Sequence, residues 1–255
     1  MRQIDLSCDL GEAESARDRE IESALWPLIT SANIACGGHA GDRDSMEVAI
    51  RRASELGVLI GAHPSYPDRL HFGRVSLPIR GEQLRECLVE QLDELCELSH
   101  DAGMKVSHVK PHGALYNDAH HDGELAELVA EAVRSVAPEI AMVAANGSRL
   151  LAAAREAGMA VVSEAFADRR YRSDGSLVPR SEPDALLLAE DEAATQARLL
   201  AREQVVVAST GQTIPVPFET ICIHGDMPRS VERLTAIRDA LQAEGCEITA
   251  AGRLG

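Results

Sequence analysis

Apolar positions in this chain fall into two alternating patterns. Short continuous runs occur at Ile4–Leu10, Ala32–Cys36, Val58–Ala62, Lys105–Lys110, Ile140–Ala145, Met159–Glu164 and Thr220–Ile223. Between them, apolar residues recur with helical period, as at Met46, Ala49, Ile50, Ala53 and Leu56, or Leu84, Leu88, Leu92 and Leu95. The spacing predicts helices over Ser15–Trp26, Asp42–Leu56, Gly81–Ala102, Asp122–Val136, Ser148–Ala157, Asp191–Glu203 and Ser230–Glu244. Asp42 reads as an N-cap, and Gly57, Gly103 and Gly158 read as helix stops. Val205–Ala208 and Thr210–Pro217 are ambiguous, and Cys246–Thr249 is a last strand or a tail.

Strand and helix therefore alternate about seven or eight times, which argues a parallel sheet with helical crossovers. Polar residues follow nearly every strand. An open sheet concentrates its chemistry at one switch point, whereas a closed one gathers all its strand ends into a ring. The expectation is a distorted (β/α) barrel of seven or eight parallel strands. It forms one domain over residues 1–255, since no Gly-, Ser- or Pro-rich linker divides the chain.

Composition narrows the function classes. Aromatics are only 3% of the chain, too few for base-stacking surfaces, and 25 Lys+Arg against 41 Asp+Glu give a formal charge of −16. Nucleic acid and anionic membranes are thereby excluded as partners. No apolar run approaches the roughly 20 residues of a membrane helix. The six cysteines form no C-x-x-C pair, and Arg2 and Asp5 argue against a secretory leader. A cytoplasmic protein with reduced thiols is expected.

Taken by strand end, the candidate chemistry is Asp9 and Glu12; Asn33 and His39; His63; Lys110 and His112; Asn146; Glu164, Asp168 and Arg169; His224 and Asp226. In a barrel these acids, imidazoles and cations meet at one mouth, as proton transfer beside a developing anion requires. Each also has a structural reading. Asp9 and Glu12 suit a turn, His39, His63 and His112 suit a packed core, and Arg169 and Arg170 suit a solvated loop. His108 reads as core packing; His100, His120 and His121 read as surface. Neither a G-x-x-x-x-G-K-[ST] phosphate loop nor an H-E-x-x-H pair occurs. Asp9, His39, His63 or His224 could still assemble a divalent-metal site from separate strands, although spacing gives it no support.

Several longer motifs carry a resemblance. S-A-N-I-A-C-G-G-H-A-G-D (31–42), I-G-A-H-P-S-Y-P-D-R (60–69), F-G-R (72–74), H-V-K-P-H-G-A-L-Y-N (108–117), F-A-D-R (166–169), D-G-S-L-V-P-R (174–180) and H-G-D (224–226) resemble the lactam-utilisation family. That family supplies the A subunit of prokaryotic ATP-dependent 5-oxoprolinase. The resemblance implies a barrel of the glycoside hydrolase/deacetylase type that works with B and C subunits. It implies opening of 5-oxo-L-proline to L-glutamate, with ATP as co-substrate of the complex. Ser7, Cys8 and Gly38 depart from the family's usual Asn, Ala and Phe.

The expected catalytic set is Asp9, Glu12, His39, His63, Lys110 and His112. The expected substrate contacts are Asn33, Arg74, Asn117, Asp168, Arg169, His224 and Asp226. An acid with a histidine would activate water, while Lys110 and Arg169 would hold negative oxygen, phosphate or carboxylate. The rival readings are a metal-dependent deacetylase or amidohydrolase on the same barrel, and a non-catalytic scaffold subunit.

Overall fold

In the computed structural model, which describes residues 2–251, seven parallel strands close on themselves. They are β1 (Gln3–Leu10), β2 (Ser31–Ala35), β3 (Leu59–His63), β4 (Val106–Val109), β5 (Ala141–Ala145), β6 (Val161–Phe166) and, after a short antiparallel hairpin of β7 (Val205–Val207) and β8 (Thr213–Pro215), β9 (Thr220–His224). β9 pairs with β6 on one side and β1 on the other, and so completes the ring. A short β10 (Glu247–Ile248) pairs with the start of β1. The expected parallel barrel is borne out. Residue 1 and residues 252–255 of the expected span lie outside the described residues.

The helices are α1 (Ala16–Leu25), α2 (Arg43–Leu56), α3 (Gly81–Asp101), α4 (Gly113–His121), α5 (Gly123–Val136), α6 (Arg149–Glu156), α7 (Glu190–Glu203) and α8 (Ser230–Ala243). Asp42 caps α2 as expected. Its carboxylate accepts the Ser45 N–H at 2.9 Å, and the Ser45 hydroxyl accepts the Asp42 N–H at 2.8 Å. Gly57 ends the same helix at φ 68°. The sequence pattern does not predict α4. Gly113 is a poor helix former at the helix start, and no side chain caps the end. The ambiguous 205–217 stretch is the β7–β8 hairpin.

Strand alternation divides the interior in two. In β1, Ile4, Leu6, Cys8 and Leu10 face outward and join the core shared with the helices. Asp5, Ser7 and Asp9 face the lumen. Near the floor, Asp5 accepts hydrogen bonds from Thr30 (2.7 Å), Ser31 (2.8 Å) and Thr220 (2.5 Å). Ala141, Val143 and Val162 form a small apolar cluster apart from the outer core.

Midway up, His108 Nε2 of β4 donates to Asn33 Oδ1 across the lumen at 2.8 Å, and its other ring nitrogen meets the Ser107 hydroxyl at 2.8 Å. His108 is buried in the core as expected, and both its ring nitrogens have the polar partners that desolvation demands. Gly61 makes that possible, since a Cβ there would lie 2.2 Å from His108 Nε2. Gly61→Ala should therefore expel the imidazole and destabilise the barrel by about 1–3 kcal/mol. Removing the ring as well, in Gly61→Ala/His108→Ala, should recover part of the loss. Urea unfolding of the single and double variants checks both statements.

Candidate active site

The carboxyl ends of the strands carry one connected set of titratable groups. Lys110 follows β4 and crosses the ring. Its Nζ lies 2.8 Å from Asp9 Oδ1, 3.2 Å from Glu164 Oε1 and 2.9 Å from Cys222 Sγ. Asn33 donates to the same Asp9 oxygen at 2.8 Å, which links it down to His108. Tyr116 donates to Glu164 Oε2 at 3.1 Å.

Burial alone would raise the Asp9 pKa, but His63 and Lys110 outweigh it and hold the carboxyl well below its ordinary range. Burial opposes the Lys110 charge in the same way, and Asp9 restores it, so that ammonium stays protonated. Burial dominates at Glu164, which rises to about 7 despite Lys110.

A histidine cluster sits beside Asp9. His63 Nδ1 lies 2.6 Å from the Lys110 carbonyl, and His112 Nε2 lies 3.0 Å from the Phe72 carbonyl. A carbonyl only accepts, so both of those nitrogens carry hydrogen. The remaining nitrogens, His63 Nε2 and His112 Nδ1, then face each other at 3.0 Å. Two lone pairs repel at that distance, so a proton or a metal cation belongs between them. Asp9 Oδ2 is 3.3 Å from His63 Nε2, and Glu12 Oε1 is 3.6 Å from His112 Nδ1.

His39 stacks on His112 with centroids 3.7 Å apart, and its Nε2 meets Glu12 Oε1 at 2.9 Å. Burial, reinforced by the Asp9 charge, pushes Glu12 up to about 8, while burial drops His39 to about 3. Glu12 therefore carries the proton of that pair at neutral pH. Potential ligand atoms of Glu12, His39, His63 and His112 lie within 4.8 Å of one another. Three imidazoles with one carboxyl group, two of the rings backed by carbonyls, form a donor set suited to zinc or a similar divalent ion that displaces the Glu12 proton.

Above the cluster lies a cavity of about 430 Å³, lined by Asp9, His63, Lys110, His112, Tyr116, Asn117, Phe166, Arg169, Arg180, His224 and Arg74 among others. Arg74 and Arg180 both pair with Asp226 and strap three loops together. The strap needs the 72–74 turn. Phe72 adopts φ 55° and Gly73 φ 62°, and a Cβ on Gly73 would lie 2.9 Å from His39 Cβ. A Cβ on Gly113 would lie 2.4 Å from the Gly73 carbonyl oxygen, so the two glycines let this loop close over His112. A second cavity of about 450 Å³, reached by Asp9, Glu12 and Glu22, lies next to Phe72 and Asp226.

All six expected catalytic residues thus meet, although His39 is sealed from the main cavity. Of the expected substrate contacts, Arg74, Asn117, Arg169 and His224 line it, and Asp226 stands at its rim. Two of the expected contacts do not line the cavity. Asn33 lies behind the wall, held between Asp9 and His108. Asp168 is turned toward His224, accepting its backbone N–H at 2.8 Å and lying 3.1 Å from its Nδ1. Asn146, directly after β5, is exposed and does not line the cavity. Arg170 points outward to Glu192.

Sequence reasoning leaves Tyr116, Arg180 and Cys222 unassigned. Tyr116 and Arg180 lie inside quoted motifs, and Cys222 shares the inward alternation of Thr220 and His224. Ser7 sits in the lumen below Asp9 and Cys8 packs outward, so neither lines the cavity. A Cβ on Gly38 would lie 2.4 Å from Gln91 Oε1, because Gln91 fills that space and hydrogen bonds both backbone groups of Ser65.

The titration of Glu164 gives a stability signature. Its folded pKa is raised, so the associated stability is complete below about 4.5 and is lost as pH rises through about 7. Glu164→Gln cannot ionise. The stability of the native protein relative to this variant should fall between pH 5 and 8 by on the order of 2 kcal/mol, read by urea unfolding at stepped pH.

The LamB/YcsF family matches residues 4–254. A protein of Chloroflexus aggregans that bears the name of the 5-oxoprolinase A subunit is 43% identical over 248 residues, covering 97% of this chain and 98% of its own. The solved lactam utilization protein of Thermus thermophilus is 37% identical and superposes with a TM-score of 0.89 over 98% of this chain and 100% of that one. A family 4 carbohydrate esterase from Streptomyces lividans, 11% identical, shares the barrel alone, with a TM-score of 0.50 over 99% of this chain and 94% of that one.

Proposed function

The chain belongs to the LamB/YcsF family, and from that premise we propose that it is the A subunit of an ATP-dependent 5-oxoprolinase. In this reading it is a single barrel domain in the cytoplasm that works with B and C subunits. The assembled complex opens the lactam of 5-oxo-L-proline to L-glutamate and consumes ATP as co-substrate. The observation that carries the reading is electrostatic. A chain of formal charge −16 lines one cavity with Arg74, Lys110, Arg169 and Arg180, beside an ionised Asp9. Such a cavity selects a small anion and holds a base against it.

The lactam amide is resonance-stabilised, and ATP-driven phosphorylation of its oxygen makes the ring carbon electrophilic. The residues then divide the work. Asp9 with His63 takes a proton from water. Lys110 supports the negatively charged phosphorylated oxygen as the tetrahedral adduct forms, in a site dry enough for its charge to count. His112, facing His63, returns a proton to the departing ring nitrogen; the C–N bond breaks to leave glutamyl phosphate, which a second water cleaves to L-glutamate and inorganic phosphate.

Asp9→Asn, His63→Gln and Lys110→Met should each lower glutamate formation by the co-expressed three-subunit complex by about 100-fold or more. Circular dichroism of each variant separates lost chemistry from lost fold. Wild-type rates in all three would remove these roles.

One observation favours a second reading, a metal-dependent amide or ester hydrolase. The two facing nitrogens of His63 and His112, with Glu12 and His39 adjacent, fit a divalent cation as well as a shared proton. Such an ion would polarise a carbonyl and lower the pKa of a bound water. In the oxoprolinase reading, protein treated with EDTA and then freed of it regains its full rate when Mg2+ and ATP alone are restored, and amide hydrolysis without ATP is absent. One metal per chain with EDTA-sensitive, ATP-independent hydrolysis supports the second reading instead.

A further inference from the structure

Four side-chain cations reach the main cavity, and three have partners. Lys110 lies between Asp9 and Glu164. Arg74 and Arg180 share Asp226. Arg169 has no acid within ion-pair distance among the described residues. It is only 5% exposed, its Nη2 donates to the Val178 carbonyl at 2.7 Å, and its Nε has no partner. The nearby carboxylate of Asp168 is taken up by His224.

Burying an unpaired guanidinium is costly, and a donor left unsatisfied adds to the cost. The surrounding backbone nevertheless holds Arg169 in place. Gln196 donates to the carbonyls of Phe166 and Arg169 at 2.8 Å each, fixing the turn that leaves β6. The Val178 contact fixes the guanidinium from the opposite loop. The result is a rigid planar donor group with free hydrogens on the wall of the cavity that Lys110 and His63 also line.

We propose that Arg169 is the specificity-determining anchor for a carboxylate carried by the substrate. A planar carboxylate matches the planar guanidinium and neutralises the one unpaired cation of the cavity among the described residues. Lys110 already lies between Asp9 and Glu164, and the proposed chemistry assigns it to the reacting oxygen. The inference deepens the oxoprolinase reading and rests on it. In that reading the anchored group is the carboxylate on the lactam ring, and its distance from Lys110 sets which ring carbon is attacked.

The test uses the three-subunit complex with L-5-oxoproline and with 2-pyrrolidinone, the same lactam lacking the carboxylate. Arg169→Met should raise KM for 5-oxoproline roughly 10- to 100-fold with a much smaller change in kcat. It should lower turnover of 2-pyrrolidinone far less than turnover of 5-oxoproline, so that discrimination between the two collapses. Arg169→Lys should fall between, and added guanidinium should restore part of the loss in an Arg169→Ala complex. A fold defect would lower both substrates alike and shift the melting temperature; equal loss on both substrates overturns the inference.

Calorimetric titration of the wild-type and Arg169→Met complexes with 5-oxoproline and other compact carboxylates separates the two proposals. A complex that binds carboxylates through Arg169 without turning over 5-oxoproline sustains the anchor and removes the oxoprolinase reading. A complex that turns over 5-oxoproline with undiminished discrimination in Arg169→Met does the reverse.

Discussion

The Lys110 ammonium, buried in the mouth of the barrel and drawn to Asp9, is the interaction on which the rest of the site depends. Both partners are almost completely desolvated, so neither charge survives without the other. Removing one member of such a pair typically costs about 3–5 kcal/mol, because the remaining charge is stranded. The pair also spans the lumen, tying β4 to β1, and Glu164 and Cys222 extend it to β6 and β9. One side chain thereby fixes the relative positions of four strand ends and, together with His63, keeps Asp9 ionised where an isolated buried carboxyl would be neutral.

The other features follow as conditions for that arrangement. Asn33 occupies a lone pair of Asp9 from below, and His108 steers Asn33. Gly61 leaves room for the His108 ring. Above, the Phe72-Gly73-Arg74 turn presses its backbone against His39 and His112, and its Phe72 carbonyl fixes which His112 nitrogen bears hydrogen. The tautomers of His63 and His112 are therefore set by backbone oxygens, far more rigid partners than side chains. The unusual facing of two acceptor nitrogens is built into the frame.

Much of this was legible in the sequence because the patterns are strong. Continuous apolar runs marked the strands, helical periodicity marked most of the helices, and polar residues at successive strand ends marked a shared rim. The roles within the rim were not legible. His108 read as core packing, but no sequence signal shows that Gly61 opens space for it across the lumen. Asn33 and Asp168 looked like ligand contacts because proximity to a strand end does not reveal which way a side chain is engaged; one orients Asp9, the other His224. Arg180 and Tyr116 acquire meaning only through Asp226 and Glu164, partners 46 and 48 residues away. The α4 helix was hidden because glycine opens it, where local propensity opposes the fold.

The claim that Lys110 keeps Asp9 ionised is tested most directly by carboxyl-carbon NMR titration of Asp9 in the native protein and in Lys110→Met. The account requires an Asp9 pKa well below 3.8 in the native protein and a marked rise once the ammonium is gone. An Asp9 that titrates at the same pH in both proteins would contradict it.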